Sequence, residues 1–271
     1  MRFTKMQGCG NDYIYINCFK EKVEDPSALA VMLSDRRFGI GGDGIILIKP
    51  SDGSDFMMDM YNLDGSRGKM CGNAIRCVGK YVYENGMTDK TELEIETLSG
   101  KKYLKLNVKD GIVDSVRVDM GFAKSSHAKL SALDREFDMT LVDVGNPHAV
   151  SYVDDVRSYP VEKYGSVLEY DKAFPDRANI EFVKLVDREH IEMRVWERGS
   201  GETFACGTGA CASVYASMIN GLTGSSVRVK MLGGELLIEC TEDGHIFMTG
   251  PAVKVFEGEA DLPLSGRTSG L

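Results

Sequence analysis

Short runs of apolar residues, separated by glycine, aspartate and other turn-forming residues, make up most of this 271-residue chain. Runs of about four to eight residues with alternating or continuous apolar positions are typical of β-strands. The first half contains "RFTKM" (2–6), "YIYINCF" (13–19), "GIILIK" (44–49), "FMMDMY" (56–61), "ELEIET" (92–97), "YLKLNV" (103–108) and "VDSVRVDM" (113–120). Similar runs in the second half are "SVRVKM" (226–231) and "ELLIEC" (235–240). The pattern therefore predicts a protein dominated by β-sheet.

Three stretches have a helical pattern. One lies near 27–36, and the other two, 72–85 and 207–220, each follow a cysteine. These two carry apolar or small residues on most faces ("AIRCVGKYVY" and "GACASVYASMI"), which is typical of a buried helix. We therefore expect a sheet wrapped around a central helix in each half of the chain.

A long internal repeat relates the two halves. The offset of 135 residues between Cys71 and Cys206 also relates Asn11 to Asn146, Ile45 to Ile180 and Tyr61 to Trp196. A repeat of this length far exceeds a solenoid unit and indicates two similar domains, as after duplication and fusion. We therefore predict an α+β protein of two pseudo-symmetric domains, each a mostly antiparallel sheet wrapped around a central helix.

The repeat also predicts where the domains divide. We assign residues 1–120 to an N-terminal lobe and 121–255 to a C-terminal lobe, and expect the segment at about 256–271 to return to the first lobe. Because ligand sites occur preferentially where domains meet, we expect the functional site in the cleft between the lobes.

Composition narrows the range of partners. The net charge of −9 provides no basic face, so neither a nucleic acid nor an anionic membrane is an expected partner. No run approaches the roughly 20 apolar residues of a membrane span, and "MRFTKMQGCGND" lacks a signal-peptide core. Seven cysteines without compact disulfide spacing favour reduced thiols and a cytoplasmic location.

Two features resemble cofactor sites but lack the required context. The sequence "GIGGDG" (39–44) matches the dinucleotide-binding pattern, yet a helical stretch precedes it and a strand follows, which is the reverse of the required order. Cys71 with Cys77 and Cys206 with Cys211 point to different helix faces, and the four histidines are dispersed. We therefore expect no nucleotide, no metal and no other cofactor.

Cys71 and Cys206 each stand directly before a buried helix and next to a glycine. A helix N-terminus offers free N–H groups and the positive end of the helix dipole, which predicts a lowered cysteine pKa. Two such helices from pseudo-symmetric domains would direct both sulfurs into one cleft from opposite sides. A carbon acid between them can lose a proton to one sulfur and gain one from the other, which inverts its configuration. A carboxylate can be held there by the N–H groups of Gly72, Asn73, Gly207 and Thr208.

A cysteine in an apolar segment is more often a small buried residue than a reactive one. That is how we interpret Cys9, Cys18, Cys77, Cys211 and Cys240. For Cys71 and Cys206 the repeat favours chemistry, because it places two cysteines at equivalent helix starts.

On these residues the chain resembles the diaminopimelate epimerase family. The matching segments occur in family order: "GCGND" (8–12), "YNLDGS" (61–66), "MCGN" (70–73), "GNPH" (145–148), "NIEF" (179–182), "ERGSGET" (197–203) and "ACGTGA" (205–210). The resemblance implies two α/β domains, a homodimer, and a cofactor-independent reaction. That reaction interconverts LL- and meso-2,6-diaminopimelate for lysine and peptidoglycan synthesis.

The resemblance also implies roles for individual residues. Cys71 and Cys206 match the two catalytic acid/base cysteines. The positions that match substrate-binding residues are Asn11, Asn62, Asn146 and Asn179, the helix-terminal group Gly72, Asn73, Gly207 and Thr208, and the pair Glu197 and Arg198. His148, together with Glu197, matches groups that tune the pKa of the cysteines. Without this context, an asparagine beside glycine is most often a turn residue, and Glu197, Arg198 and His148 would be ordinary loop or surface residues.

The chain departs from the family pattern at four positions. Gly44 stands where some members carry glutamine, Ala74 where glycine is frequent, and Arg67 and Lys69 where acidic residues are common.

Two other functions stay open. One alternative is a cofactor-independent racemase of another amino acid on the same scaffold, although Asn73 disfavours a proline racemase. The other, from a different class, is a non-enzymatic thiol- or metal-binding protein.

Overall fold

The computed structural model describes residues 1–261. The first half forms β1 (Arg2–Gly8), β2 (Asn11–Asn17), α1 (Pro26–Ser34), β3 (Gly44–Lys49), β4 (Phe56–Asn62), β5 (Arg67–Gly68), α2 (Gly72–Glu84), β6 (Glu92–Thr97), β7 (Gly100–Lys109) and β8 (Ile112–Phe122). The second half forms β9 (Lys124–Ala132), β10 (Arg135–Asp143), β11 (Pro147–Tyr152), α3 (Val161–Leu168), β12 (Asn179–Leu185), β13 (His190–Glu197), β14 (Gly201–Glu202), α4 (Gly207–Ile219), β15 (Ser226–Met231), β16 (Gly234–Cys240) and β17 (His245–Gly250). The last element is β18 (Val253–Glu259).

The two halves contain the same elements in the same order. β1 to β8 with α1 and α2 correspond to β10 to β17 with α3 and α4. The strand pairing repeats as well: β2–β3 and β4–β6 are parallel, as are β11–β12 and β13–β15, while the remaining neighbours are antiparallel. The predicted α+β fold of two similar, mostly antiparallel halves is confirmed.

The halves are joined along β8 and β17, which pair in antiparallel fashion. From this junction the chain crosses over twice. After β8 it forms β9, which pairs with β10 in the second half, and after β17 it forms β18, which pairs with β1 in the first half. The return to the first half thus begins at Val253, and residues 262–271 of the predicted return segment lie outside the described residues.

The central helices α2 and α4 begin where the sequence predicts them. Cys71 and Cys206 are the N-caps, with their sulfurs accepting the N–H groups of Ala74 and Gly209. α2 packs against β1, β2, β7 and β8, and α4 against β10, β11, β16 and β17. Gly79 allows this close packing, because a Cβ atom there would lie 2.9 Å from Leu106 Cδ2.

One hydrophobic core surrounds both central helices, and two smaller cores lie beneath α1 and α3. The starts of α2 and α4 are therefore held by the largest of these three cores, which favours a fixed geometry at Cys71 and Cys206. Within residues 1–261, the structure contains no helix with both the length and the apolarity required to span a membrane.

Candidate active site

The N-termini of α2 and α4 meet at Met248, a residue of the joining strand β17. A Cβ atom at Gly72 would lie 2.8 Å from Met248 Cε, and one at Gly207 would lie 3.0 Å from Met248 Sδ. The amide of Asn73 crosses the junction, because its Nδ2 donates to the carbonyl of Ala205, at 3.4 Å. The free N–H groups of both helix starts therefore belong to one region at the interface of the two halves.

Cys71 is oriented by Asn11, the first residue of β2. Its thiol donates to Asn11 Oδ1 at 3.2 Å, while its sulfur accepts from the N–H of Ala74 at 3.5 Å. Asn11 is in turn fixed, since its Nδ2 donates to Asp43 Oδ2 at 2.7 Å. Arg36 donates to the other Asp43 oxygen at 2.9 Å. The side chain of Cys71 thus has a defined position.

Cys206 occupies the equivalent place in the second half. Its sulfur accepts the N–H of Gly209 at 3.3 Å and lies 3.4 Å from Thr208 Oγ1. Asn146 Nδ2 lies 3.5 Å from the same hydroxyl. Asn146 is therefore linked to Cys206 through Thr208, whereas Asn11 contacts Cys71 directly.

The prediction of lowered thiol pKa values is wrong for this structure. Removal from water raises the pKa of Cys71 and raises that of Cys206 well above its usual value. The nearby carboxylate of Glu197 adds to both increases, and that of Glu181 adds to the one at Cys206. The helix N–H groups act in the predicted direction, but desolvation is the larger effect. Burial therefore favours the thiol form of both sulfurs.

Glu181 is a site residue that the sequence analysis missed. It lies in β12 beside Cys206: a Cβ atom at Gly209 would be 2.8 Å from Glu181 Oε1 and 3.2 Å from Cys206 Sγ. Its Oε1 is also 2.6 Å from Nδ1 of His148. The repeat could have identified it. The offset of 135 residues aligns Glu181 with Ile46, so a charged residue stands where the first half has an apolar residue in a strand.

Glu197 and Asn179 lie at the same end of the second-half sheet. Glu197 accepts a hydrogen bond from the hydroxyl of Thr203, and burial raises the pKa of its carboxyl group. Asn179 accepts the backbone N–H of Arg198 at 3.0 Å and donates to the Pro147 carbonyl at 3.0 Å. The guanidinium of Arg198 is exposed and donates to the Asp176 carbonyl at 3.0 Å.

The turn that carries Arg198 is held by Glu169, a second residue missed from the sequence. This buried carboxylate accepts from Trp196 Nε1 at 2.8 Å and from the N–H of Gly199 at 2.9 Å. Arg177 donates to it as well, at 3.2 Å. Glu169 therefore holds the side chain before residues 197 and 198 and the backbone after them.

Asn62 stands at the end of β4, paired with Gly44, and its Nδ2 donates to Ser66 Oγ at 2.9 Å. Within the described residues no direct hydrogen bond joins it to either cysteine. Gly44 has φ +155°, and a Cβ atom there would lie 2.1 Å from the Tyr61 carbonyl oxygen and 2.9 Å from Tyr13 Cε1. The ring of Tyr13 thus occupies space beside Gly44.

In residues 1–261, no three His, Cys, Asp or Glu side chains are arranged to hold a metal.

Comparison with known proteins agrees with this geometry. The diaminopimelate epimerase family model matches residues 3–125 and 140–255. A diaminopimelate epimerase of Acetivibrio thermocellus is 54% identical over 277 residues, covering 97% of this chain and 99% of the relative.

Solved structures share the fold at much lower identity. A phenazine biosynthesis protein of Bacillus anthracis has a TM-score of 0.78 at 16% identity, with 97% of this chain and 99% of that chain covered. A probable proline racemase of Agrobacterium radiobacter has a TM-score of 0.75 at 14% identity, with 98% and 94% covered. These two structural similarities show the fold alone, whereas the family match and the relative from Acetivibrio thermocellus are similarities of sequence. The chain therefore belongs to the diaminopimelate epimerase family.

Proposed function

We propose that this protein is an isomerase that interconverts LL-2,6-diaminopimelate and meso-2,6-diaminopimelate, in lysine and peptidoglycan precursor synthesis. Membership of the family supports the substrate. The observation that carries the chemistry is the convergence of two cysteine-capped helices, one from each half, at Met248. No cofactor takes part in the proposed reaction.

The two cysteines act as a pair of acid and base. One sulfur, as thiolate, removes the α-proton from one face of the substrate carbon, and the thiol of the other delivers a proton to the opposite face. The electron pair of the broken C–H bond forms the new one, so the thiol and thiolate exchange places and the configuration inverts. In the reverse direction Cys71 and Cys206 exchange roles.

The raised thiol pKa values have two opposing effects on this chemistry. A thiolate whose conjugate acid has a high pKa is a stronger base towards the weakly acidic α-proton, but a smaller fraction of the protein carries that thiolate at neutral pH, so one sulfur must lose its proton before the reaction begins. The N–H groups of the two helix starts favour the negative charge that develops on the substrate carboxylate during proton removal. The positions proposed to hold that carboxylate are Gly72, Asn73, Gly207 and Thr208.

The remaining polar residues fix and tune the reacting centre. Asn11 and Asn146 support it through their links to Cys71 and Thr208. At the distal amino acid centre we place Asn62, Asn179, Glu197 and Arg198. His148 and Glu197 adjust the proton affinity of the sulfurs, since Glu197 raises the pKa of both.

The two halves form two lobes, assigned from the sequence as residues 1–120 and 121–255, with the reaction in the cleft between them. Because β18 (Val253–Glu259) pairs with β1, we place residues 253–255 with the first lobe. The protein works as a cytoplasmic homodimer. Exposed apolar residues on β18, Val253, Val255 and Phe256, support an interface with a second copy. Its seven cysteines, all of them free in this structure, are consistent with a reducing compartment.

The test is incubation of reduced, chelator-treated protein with LL-diaminopimelate in D₂O. Deuterium in the α-position of meso product would support both the substrate and the proton-exchange chemistry. Folded protein that incorporates no deuterium would contradict the proposal. Racemisation of another amino acid without turnover of diaminopimelate would instead favour the alternative racemase.

A further inference from the structure

Arg76 is a fully buried arginine without a carboxylate partner among residues 1–261. It lies in α2, one turn after the helix start, and makes no ion pair within 4.0 Å in the described chain. Lys80, the next buried cation on the same helix, differs in this respect: its Nζ is 2.7 Å from Glu84 Oε1. Burial of a charge without a counter-charge is costly, so such a residue calls for an explanation.

The guanidinium of Arg76 is bound directly to the start of α2 and is linked to the segment before α4 through Asn73. Nη1 donates to the carbonyl of Gly72 at 3.1 Å, and Nη2 donates to Asn73 Oδ1 at 3.0 Å. The amide Nδ2 of Asn73 in turn donates to the carbonyl of Ala205, next to Cys206. A third contact, from Nε to the Pro251 carbonyl at 3.1 Å, ties Arg76 to the segment after β17.

Together with the sulfurs of Met248 and Cys9, each 3.7 Å from a guanidinium nitrogen, these partners satisfy the five donors of Arg76 but do not cancel its charge. A carbonyl or amide oxygen is a dipole, and the positive charge therefore extends to the neighbouring surface. That surface consists of the free N–H groups at the starts of α2 and α4, where the dipoles of both helices have the same sign.

We propose that Arg76 is a positioning residue that attracts the α-carboxylate of the substrate to the two helix starts and holds the Asn73 amide there. The proposal rests on the proposed function for the identity of the carboxylate, but the attraction itself applies to any small carboxylate. The unneutralised guanidinium thus has its counter-charge in the bound substrate.

The test compares alkylation of the two cysteines by iodoacetate, which is an anion, and iodoacetamide, which is neutral. Both reagents need the thiolate, so a change in thiol pKa cancels in the ratio of their rates. Peptide mapping gives this ratio separately for Cys71 and Cys206, and 2-mercaptoethanol supplies the reference ratio in solution. In the unmodified protein we expect iodoacetate to be favoured relative to this reference, despite the net charge of −9.

Substitution then assigns the preference to Arg76. Arg76→Met should lower the iodoacetate-to-iodoacetamide ratio at both cysteines about tenfold, as expected for loss of one nearby charge at an intermediate effective dielectric constant. Arg76→Lys should retain most of the ratio. Lys80→Met is the matched control, because it removes a buried but neutralised cation from the same helix, and it should leave the ratio unchanged.

Two results would overturn the proposal. One is an unmodified protein whose ratio does not exceed the reference, a measurement that does not depend on the folding of any variant. The other is an Arg76→Met protein that keeps the preference. Because alkylation requires no diaminopimelate, a preference that depends on Arg76 without deuterium exchange would refute the proposed function and leave the role of Arg76 standing.

Discussion

His148 and Glu181 form a fully buried pair, with Nδ1 of the histidine 2.6 Å from Oε1 of the carboxylate. The second atom of each group, Nε2 of His148 and Oε2 of Glu181, has no hydrogen-bond partner in residues 1–261. The pair lies beside Cys206, and Glu181 raises the pKa of that thiol by charge repulsion. Glu181 is absent from the main influences on Cys71. The two cysteines therefore have different electrostatic surroundings despite their equivalent positions.

Glu181→Gln should lower the pKa of Cys206 and leave that of Cys71 nearly unchanged. A neighbouring negative charge disfavours the thiolate, so its removal allows the thiolate to form at lower pH, while the amide keeps the size of the side chain. The measurement is the pH dependence of iodoacetamide labelling, followed by peptide mapping of both cysteines. Cys71 serves as the internal control. Equal shifts at both cysteines, or none at Cys206, would contradict this assignment.

Cys71→Ala and Cys206→Ala should each abolish epimerisation while the protein stays folded. Each substitution leaves one face of the reacting carbon without a proton donor or acceptor, and such groups typically contribute about 10²- to 10⁴-fold. Turnover of LL-diaminopimelate and circular dichroism are the measurements.

Each of these variants has a matched control on its own helix. Cys77→Ala in α2 and Cys211→Ala in α4 remove buried cysteines away from the helix starts, and both should keep most of the activity. If Cys71→Ala or Cys206→Ala retains more than about a tenth of the original turnover, the acid–base role of that cysteine is incorrect.

Much of the fold follows from the sequence because the repeat is preserved at the level of single elements. The stretches 72–85 and 207–220, predicted as helices, are observed as Gly72–Glu84 and Gly207–Ile219. Helix α3 was not predicted, since its eight residues begin after a proline without a side-chain cap. The same offset of 135 residues carries α1 onto α3, so the repeat contained information that the local pattern lacks.

The site was less accessible from the sequence than the fold. Motifs identify Cys71 and Cys206, but the direction of their pKa shifts depends on burial by residues distant in the chain. Glu169 and Arg76 were also missed, because their importance comes from tertiary contacts with Gly199 and Asn73. A single charged residue in a helix or loop is usually solvated, and nothing local distinguishes these two.

Glu169→Gln should weaken substrate binding and lower stability. The amide can accept from only one of the two donors, Trp196 Nε1 and the N–H of Gly199, and hydrogen bonds to a charged group contribute about 1.5–3 kcal/mol each. We expect the KM for diaminopimelate to increase, since the turn that carries residues 197 and 198 is loosened. The fluorescence of Trp196, the only tryptophan, reports the change directly.

Glu162→Gln in the first turn of α3 is the control for Glu169→Gln. This exposed carboxylate has the same chemistry but contributes nothing to the turn, so both KM and the fluorescence spectrum should be unchanged. A Glu169→Gln protein with unaltered KM and fluorescence would mean that the turn does not depend on the buried carboxylate.

Arg198→Lys should impair binding more than this substitution usually does. The exposed guanidinium of Arg198 is held at its base by the bond from its backbone N–H to Asn179, and its planar fork can bind a carboxylate at two points. An ammonium group supplies no such fork, and loss of one charge-assisted bond corresponds to roughly a tenfold increase in KM. Steady-state kinetics with LL-diaminopimelate measures the effect, and Arg188→Lys, an exposed arginine on the β12–β13 turn, provides the matched control. Unchanged KM and kcat in Arg198→Lys would remove Arg198 from the distal recognition site.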